Sequence, residues 1–263
     1  MYLLAKSFTY DGVELPLQYM LGTTDGVDTN KESYISRKTN KGEITPDRVT
    51  PHYYSSTYED VLSFDVLIIK KDGSILNSTE IDDLILWLDK SDNYHLLTVT
   101  DYDGITYHSE LEYFAMSKGF NEFGVGNLIY GLTFHFECNA PYAYSKEFSY
   151  PFVGGVPIEI DNTSHEQRPV YPIVELQSNV TGEITIKNLS FLPNEVQMLK
   201  VLQAQALKIN NELGIIEDNM DVFDYSTDTN LVWICLTRGK NSLLVSGDVT
   251  GIIKCRYPKK RGI

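Results

Sequence analysis

A chain of 263 residues, 42% hydrophobic and 22% charged, has the make-up of a folded protein and is long enough for two domains. No run of about 18 apolar residues occurs, which excludes a membrane-spanning helix; the apolar stretch in MYLLAKSFTYDG is also too short for a signal-peptide core, so the product is expected to stay in the cytoplasm where it is made. The net charge of −14 excludes a nucleic-acid binder that works by neutralising phosphates.

Taken in chain order, the residues read as β-rich. Asp-Gly pairs begin at Asp11, Asp25, Asp72 and Asp103, and each predicts a tight turn because the pair tolerates positive φ. SFDVLIIK predicts a strand. From Ser78 the pattern changes to STEIDDLILWLDK, with Ile81, Leu84, Ile85 and Leu88 at helical spacing, so a helix is expected near 79–90. Thr79 and Asp82 supply its expected capping box, and Asp82 and Asp83 suit the helix dipole. HLLTVT follows as a strand, then ITYHSELEY, where Ile105, Tyr107, Leu111 and Tyr113 alternate with Thr106, His108, Glu110 and Glu112. In LIYGLTFHFE, Leu128, Tyr130, Leu132, Phe134 and Phe136 share one face, and a one-residue slip would turn all five outward.

Pro151 and Pro157 flank a Gly154-Gly155 pair, which predicts a linker between two domains, 1–152 and 158–263. β pattern resumes in VYPIVELQ, GEITIKNL, ALKIN, LVWICLT and VTGIIKCRY. The stretch from Leu192 to Gln205 has the propensities of a short helix inside a β domain, where tertiary context can override them. Residues 1–155 hold 23 acidic and 11 basic side chains, residues 156–263 hold 13 and 11, and the last ten, KCRYPKKRGI, hold five basic and no acidic ones. Such a tail is read as a solvated end rather than as a reach toward an acidic partner.

Chemistry is not nominated. Cys138, Cys235 and Cys255 are scattered and read as buried free thiols. His52, His95, His108, His135 and His165 form no metal-ligand spacing, and no nucleophile elbow, P-loop or dinucleotide fingerprint is present. DYDG at Asp101–Gly104 opens like a calcium loop, but Ile105 stands where a ligand is needed, so a turn is the better reading. Glu110 and Glu112 read as a solvated strand face rather than a glycosidase pair. Trp87 and Trp233 read as core, and Tyr53, Tyr54 and Tyr58 lie in a polar segment suited to partner contact. No catalytic, cofactor-binding or metal-binding residue is therefore proposed.

Read as a whole, the chain resembles the distal tail proteins of siphophages over nearly its full length. SFTYDGVEL is similar to the family's opening strand and turn, and SILNSTEIDDLILWLDKSDNYHLLTVTDYDGITYHSELE to its helix and following strands. The most specific match is GVGNLIYGLTFHFECNAPYAYS, with Phe136, Cys138, Pro141, Tyr142 and Tyr144 at the expected places. RPVYPIVELQSNVTGEITIKN resembles the opening of the family's second domain, and RGKNSLLVSGDVTGIIKCRY its Gly-x-Asn turn and closing strands. The resemblance implies a mainly β fold: an N-terminal ring-forming β domain with one helix, then a galectin-like C-terminal β-sandwich. It also implies a non-enzymatic structural role at the virion tail tip, in the baseplate. A homo-hexamer would join the tail tube protein to the tail-associated hub protein, and the sandwich would offer attachment to baseplate or receptor-binding proteins. DNA would be only passing cargo, and an acidic channel wall would repel it. The rival readings are a glycan-binding adhesin module and a hydrolase on a β scaffold.

Overall fold

The computed structural model describes residues 2–23, 37–41, 53–190 and 195–260. The chain divides into two compact units, Met1–Tyr144 with Lys260–Ile263, and Ser145–Lys259. The Asp25 turn, His52 and the start of the 192–205 segment lie outside the described residues.

The first half carries β1 (Ser7–Tyr10), β2 (Val13–Glu14), β3 (Tyr19–Gly22), β4 (Arg37–Lys41), β5 (Tyr53–Tyr58), β6 (Ser63–Lys70), α1 (Ser78–Leu88), β7 (His95–Thr100), β8 (Leu111–Val125), β9 (Leu128–Cys138) and β10 (Ala143–Ser145). One nine-stranded sheet has the main path β2-β1-β7-β8-β9-β6-β3, antiparallel throughout, with β10 also paired to β8 off this path, while β4 and β5 form a separate two-stranded sheet. Asp11 and Gly12, at φ 51° and 76°, make the tight turn between β1 and β2 that their sequence predicts.

Helix α1 forms where expected, but its cap sits two residues earlier. The Asn77 side chain accepts from the Glu80 N–H at 3.0 Å, and the Glu80 carboxylate accepts from the Asn77 N–H at 2.8 Å. Asn77 and Glu80, rather than Thr79 and Asp82, are therefore the reciprocal pair. Leu84 and Leu88 are buried in the first core, with Ile81, Ile85 and Trp87 packed against it. Trp87 stacks on Phe8 and donates its indole N–H to the Tyr10 carbonyl at 3.2 Å.

Of the five residues expected on one face of β9, Leu132, Phe134 and Phe136 are buried, whereas Leu128 is exposed and Tyr130 half-buried near the hairpin tip. ITYHSELEY is corrected more strongly. Only Leu111 onward is strand, and Ile105 and Tyr107 are exposed in the preceding loop. The Asp101 carboxylate accepts the N–H groups of His108 and Ser109 at 2.7 and 2.9 Å, so a side chain takes hydrogen bonds that a ladder would otherwise have used.

The second half carries β11 (Phe148–Val153), β12 (Ile158–Asn162), β13 (Ile173–Ser178), β14 (Gly182–Asn188), β15 (Val196–Val201), β16 (Ala206–Asn210), β17 (Ile215–Asp218), β18 (Gly239–Ser246), β19 (Val249–Cys255) and β20 (Pro258–Lys259). Two sheets, β11-β19-β13-β16-β17 and β12-β18-β14-β15, share one core to which Val174, Leu176, Leu207 and Ile253 contribute from the first and Ile160, Ile184, Ile186, Leu199 and Val245 from the second. That is a β-sandwich.

Four expectations are corrected in this unit. The Pro151–Pro157 stretch is not a linker between the units: β11 pairs with β19 through Pro151, on an edge strand that tolerates its missing N–H. The turn after β11 is then held by the Gly154 and Gly155 N–H groups on the carbonyls of Val249 and Val245. The ambiguous segment around Val196 is a strand, not a helix, since pairing with β14 places Leu199 and Val201 in the core. LVWICLT is irregular apart from a bridge at Leu236, and Leu231 has φ 56°. Buried asparagines hold it: Asn162 donates to the Leu236 carbonyl, Asn188 to that of Cys235, and Asn211 accepts from the Ile234 N–H. Finally, the basic tail is built in as far as it is described. Lys254 meets Glu175 at 2.7 Å, Arg256 meets Glu147 at 2.7 Å, Tyr257 is fully buried, and Lys259 donates to the Thr163 carbonyl.

At the sheet edge, β17 is closed by one side chain. The Tyr225 hydroxyl accepts from the Ile216 N–H at 2.5 Å and donates to the Ile216 carbonyl at 3.0 Å, taking both outward backbone groups of that residue.

Candidate functional site

The residues the sequence singled out do not converge on a chemical centre. Among the described residues no group of three His, Cys, Asp or Glu side chains could hold a metal ion. Glu110 is exposed, but Glu112, expected beside it on a solvated face, is buried across from Thr98. Cys138, Cys235 and Cys255 are free and buried, and burial pushes the Cys138 and Cys255 thiols up to about 12. Trp87 and Trp233 each pack against the core of their own unit.

The Phe-x-Cys-x-x-Pro-Tyr segment does form a connected feature. Phe136 and Cys138 are core residues of β9. Tyr142 contacts the rings of Tyr58 and Tyr144 edge-on, and Tyr144 meets Phe114, giving an aromatic ladder across the first unit. In the second unit, a concavity on the outer face of β13, β16, β17 and β19 is lined by Glu175, Gln177, Lys208, Glu217, Asn219 and Ile252 among others, with no aromatic side chain for a sugar to stack on.

The feature that sequence reasoning missed lies at the far end of the first sheet. β7 pairs with β8 only from Glu112 to Ala115, whereas β9 pairs with it out to Val125. From Phe120 to Val125, β8 thus has a strand on one side and, among the described residues, none on the other. At Gly119, φ is +118° within an irregular register between Ser117 and Phe120, and this bend starts the projecting part of the hairpin. Across the same end of the sheet, β3 is the terminal strand and also has no outer partner among the described residues.

Registers across four strands place Phe123, Gly131, Ile69 and Met20 in one lateral row. Opposed residues share a face, so this row points away from the core that the neighbouring Leu132, Ile68 and Leu21 fill. Phe123 is 40% exposed and Met20 39%, while Val125 and Leu128 at the hairpin tip are 76% and 48% exposed. Gly131 is a required close approach, because a Cβ there would lie 2.4 Å from the Ile68 carbonyl oxygen. Among the described residues the arrangement therefore leaves two strand edges without an outer partner, on opposite sides of a four-strand segment, beside an apolar row. Because every pairing in β8-β9-β6-β3 is antiparallel, β3 and β8 run in opposite directions. A β3 edge set against another copy's β8 edge would continue the same alternation.

The chain matches the family model described as Phage tail protein N-terminal domain over residues 4–140 and that described as Phage tail C-terminal domain over residues 142–255. It is 24% identical over 121 residues to the SPbeta prophage-derived uncharacterized protein YomH of Bacillus subtilis (strain 168), covering 44% of this chain and 47% of that relative, so the match spans about half of the curated relative's length. Among solved structures it is similar to the SPP1 Dit protein, described as a paradigm of hub adsorption apparatus in Gram-positive-infecting phages. The TM-score is 0.66 at 15% identity, over 95% of this chain and 98% of that one. A chain of the phage P2 baseplate in its activated conformation with Ca is similar at TM-score 0.52 and 9% identity, over 90% of each chain. These two likenesses concern the fold.

Proposed function

Because this chain belongs to a family of phage tail proteins, we propose that it is a distal tail protein, a non-catalytic structural subunit whose first unit closes into a ring. The observation that supports the ring is a pair of edges with no outer partner among the described residues, β3 on one side and Phe120–Val125 of β8 on the other, flanking the apolar row of Met20, Ile69 and Phe123. Two different, mutually complementary edges make a head-to-tail contact, and such contacts close into rings when the rotation permits. Exposed apolar surface at these edges favours burial against another copy. Six copies, contact with the tail tube and hub proteins, and attachment of baseplate or receptor-binding proteins to the sandwich follow the distal tail resemblance. So does location at the tip of the virion tail.

Paired edge variants test the ring. Met20→Lys disables the β3 edge and Phe123→Lys the β8 edge, so each alone should abolish assembly seen by light scattering across a wide concentration range, with or without tube and hub partners. Mixed together, the two variants retain one intact edge each and should form a heterodimer but no ring. Assembly of either single variant at the wild-type concentration would refute the edge contact. A wild-type chain that stays monomeric under every condition would refute the ring.

A further inference from the structure

We propose that the outer edge of β12 is the docking strand of the sandwich, and that its occupant is an extended segment of a different protein with basic side chains at two alternating positions. The inference rests on the distal tail reading above, in which the sandwich offers attachment to other tail components, and places that attachment on one strand.

The two sheets of the sandwich end in four terminal strands, β11, β17, β12 and β15. Three of these edges are dealt with inside the chain. β17 is closed by Tyr225. Along β15, Met198 donates its N–H to the Asn230 side-chain oxygen at 3.0 Å, and the Asn230 amide donates to the Val196 carbonyl at 2.7 Å. Lys200 donates its N–H to the Asp228 carbonyl at 2.8 Å. On β11, the Gly154 N–H bonds the Val249 carbonyl, and the alternation from there faces Phe152 and Tyr150 toward β19 and turns Pro151 outward. A proline in the middle of an edge has no N–H to offer an added strand.

β12 has none of these devices. The Leu189 N–H bonds the Ser242 carbonyl and the Ser242 N–H bonds the Ser190 hydroxyl, so Ser242 faces β14. Its neighbours Asn241 and Leu243 therefore face β12 and meet Ile160 and Ile158, opposite them in register. Glu159 and Asp161 are left with their N–H and C=O groups turned outward, and none of these groups is hydrogen-bonded among the described residues. Outward backbone groups repeating along a five-residue strand are what strand addition uses.

The side chains select the occupant. Every pairing in this sheet is antiparallel, and an added strand continuing that pattern would set residues directly opposite Glu159 and Asp161 on their exposed outer face. The residue between would lie beside Ile160, which is 1% exposed and faces the core. Opposite charges are favoured across such a pair and like charges are not, which asks for a basic–apolar–basic segment. The same rule disfavours a second β12, because antiparallel pairing centred on Ile160 sets Glu159 against Asp161. Lys240, across from Asp161 on β18, lies on the side away from the edge.

The test uses the full chain and the blocked peptide Thr-Val-Lys-Val-Lys-Val-Thr as probe. At ~5 mM peptide, millisecond hydrogen exchange at the Glu159 and Asp161 amides should slow at least about threefold, as mass action gives for a millimolar contact. The same peptide N-methylated at both lysines keeps its charge but loses two donors and should give no slowing; equal slowing would reduce the contact to charge attraction and overturn the added strand. A probe with glutamates in place of the lysines should act weakly on the wild type, and an equal response would overturn the basic occupant. Glu159→Lys/Asp161→Lys, with its thermal melt as folding control, should reverse that preference, and a folded variant that keeps it would overturn the charge pairing. Slowing that grows with protein concentration and needs no probe assigns the edge to a second copy and overturns the heterologous occupant. No slowing with any probe overturns the docking edge. A chain that forms rings but ignores the probes refutes this edge alone, and one that takes the lysine probe but never forms a ring refutes the ring alone.

Discussion

Replacing Asn241 should unfold the second unit while sparing the first. The Asn241 side chain is fully buried and donates to the carbonyls of Thr237 and Gly239 at 2.7 and 2.8 Å. Its oxygen accepts from the Thr237 N–H at 3.0 Å, the Thr237 hydroxyl at 3.1 Å and the Asn188 amide at 3.0 Å. Asn241→Ala strands two carbonyls, one backbone N–H and one amide hydrogen. Each costs about 1–3 kcal/mol when buried without a partner, and partial relaxation brings the total to roughly 3–5 kcal/mol. For a unit of about a hundred residues that lowers Tm by about 15–30 °C. The two tryptophans report separately, Trp87 from the first core and Trp233 from the second. Single-tryptophan backgrounds followed by fluorescence during heating should show the Trp233 transition falling and the Trp87 transition unmoved. Asn241→Asp should be at least as damaging despite its matching shape, because it turns two donors into an acceptor facing carbonyls. A shift below about 5 °C for either variant would show that the Asn241 network does not hold the irregular 234–238 segment.

Three further outcomes are expected. Asn77→Ala removes the reciprocal cap of α1 and should destabilise the first unit by about 1 kcal/mol, read by denaturant titration; a loss equal to that of Thr79→Ala would show the cap to be misassigned. Gly154→Ala should sharply lower the yield of folded second unit, since its Cβ would lie 1.9 Å from the Gly247 carbonyl oxygen, and wild-type stability in that variant would refute the tight turn. Gln197 is buried with neither amide atom hydrogen-bonded among the described residues, so Gln197→Met should stabilise the second unit by about 1–2 kcal/mol, and an unchanged or lower midpoint would mean that the amide has a partner.

What the sequence reveals is what depends on near neighbours. The helical spacing of Ile81, Leu84, Ile85 and Leu88 and the uninterrupted Leu132, Phe134 and Phe136 face are local patterns, and both lead to buried residues. LVWICLT is apolar enough to read as a strand, but the asparagines that keep it irregular come from Asn162, Asn188 and Asn211, at positions that no local window contains. The pair of edges proposed for assembly is illegible for a related reason. Met20, Ile69, Gly131 and Phe123 become neighbours only through three strand registers, and an edge is defined by the lack of an outer strand, here among the described residues. The Gly-x-Asn motif is visible in the sequence, but it opens β18 rather than forming a turn, and only the hydrogen bonds of Asn241 explain why that residue stands there.

The Tyr225 closure of β17 differs in kind from the two edges of the first unit that have no outer partner among the described residues. Its hydroxyl is tethered nine residues from Ile216, so the bonds it makes are equally available however few copies of the chain are present. An edge that waits for another molecule is governed by mass action and fills only as copies accumulate. On the proposed assembly, one chain therefore carries both a constitutive stop and a concentration gate. The β17 edge stays closed from the moment it folds, and the first sheet joins its neighbours when enough subunits have been made to complete a circle.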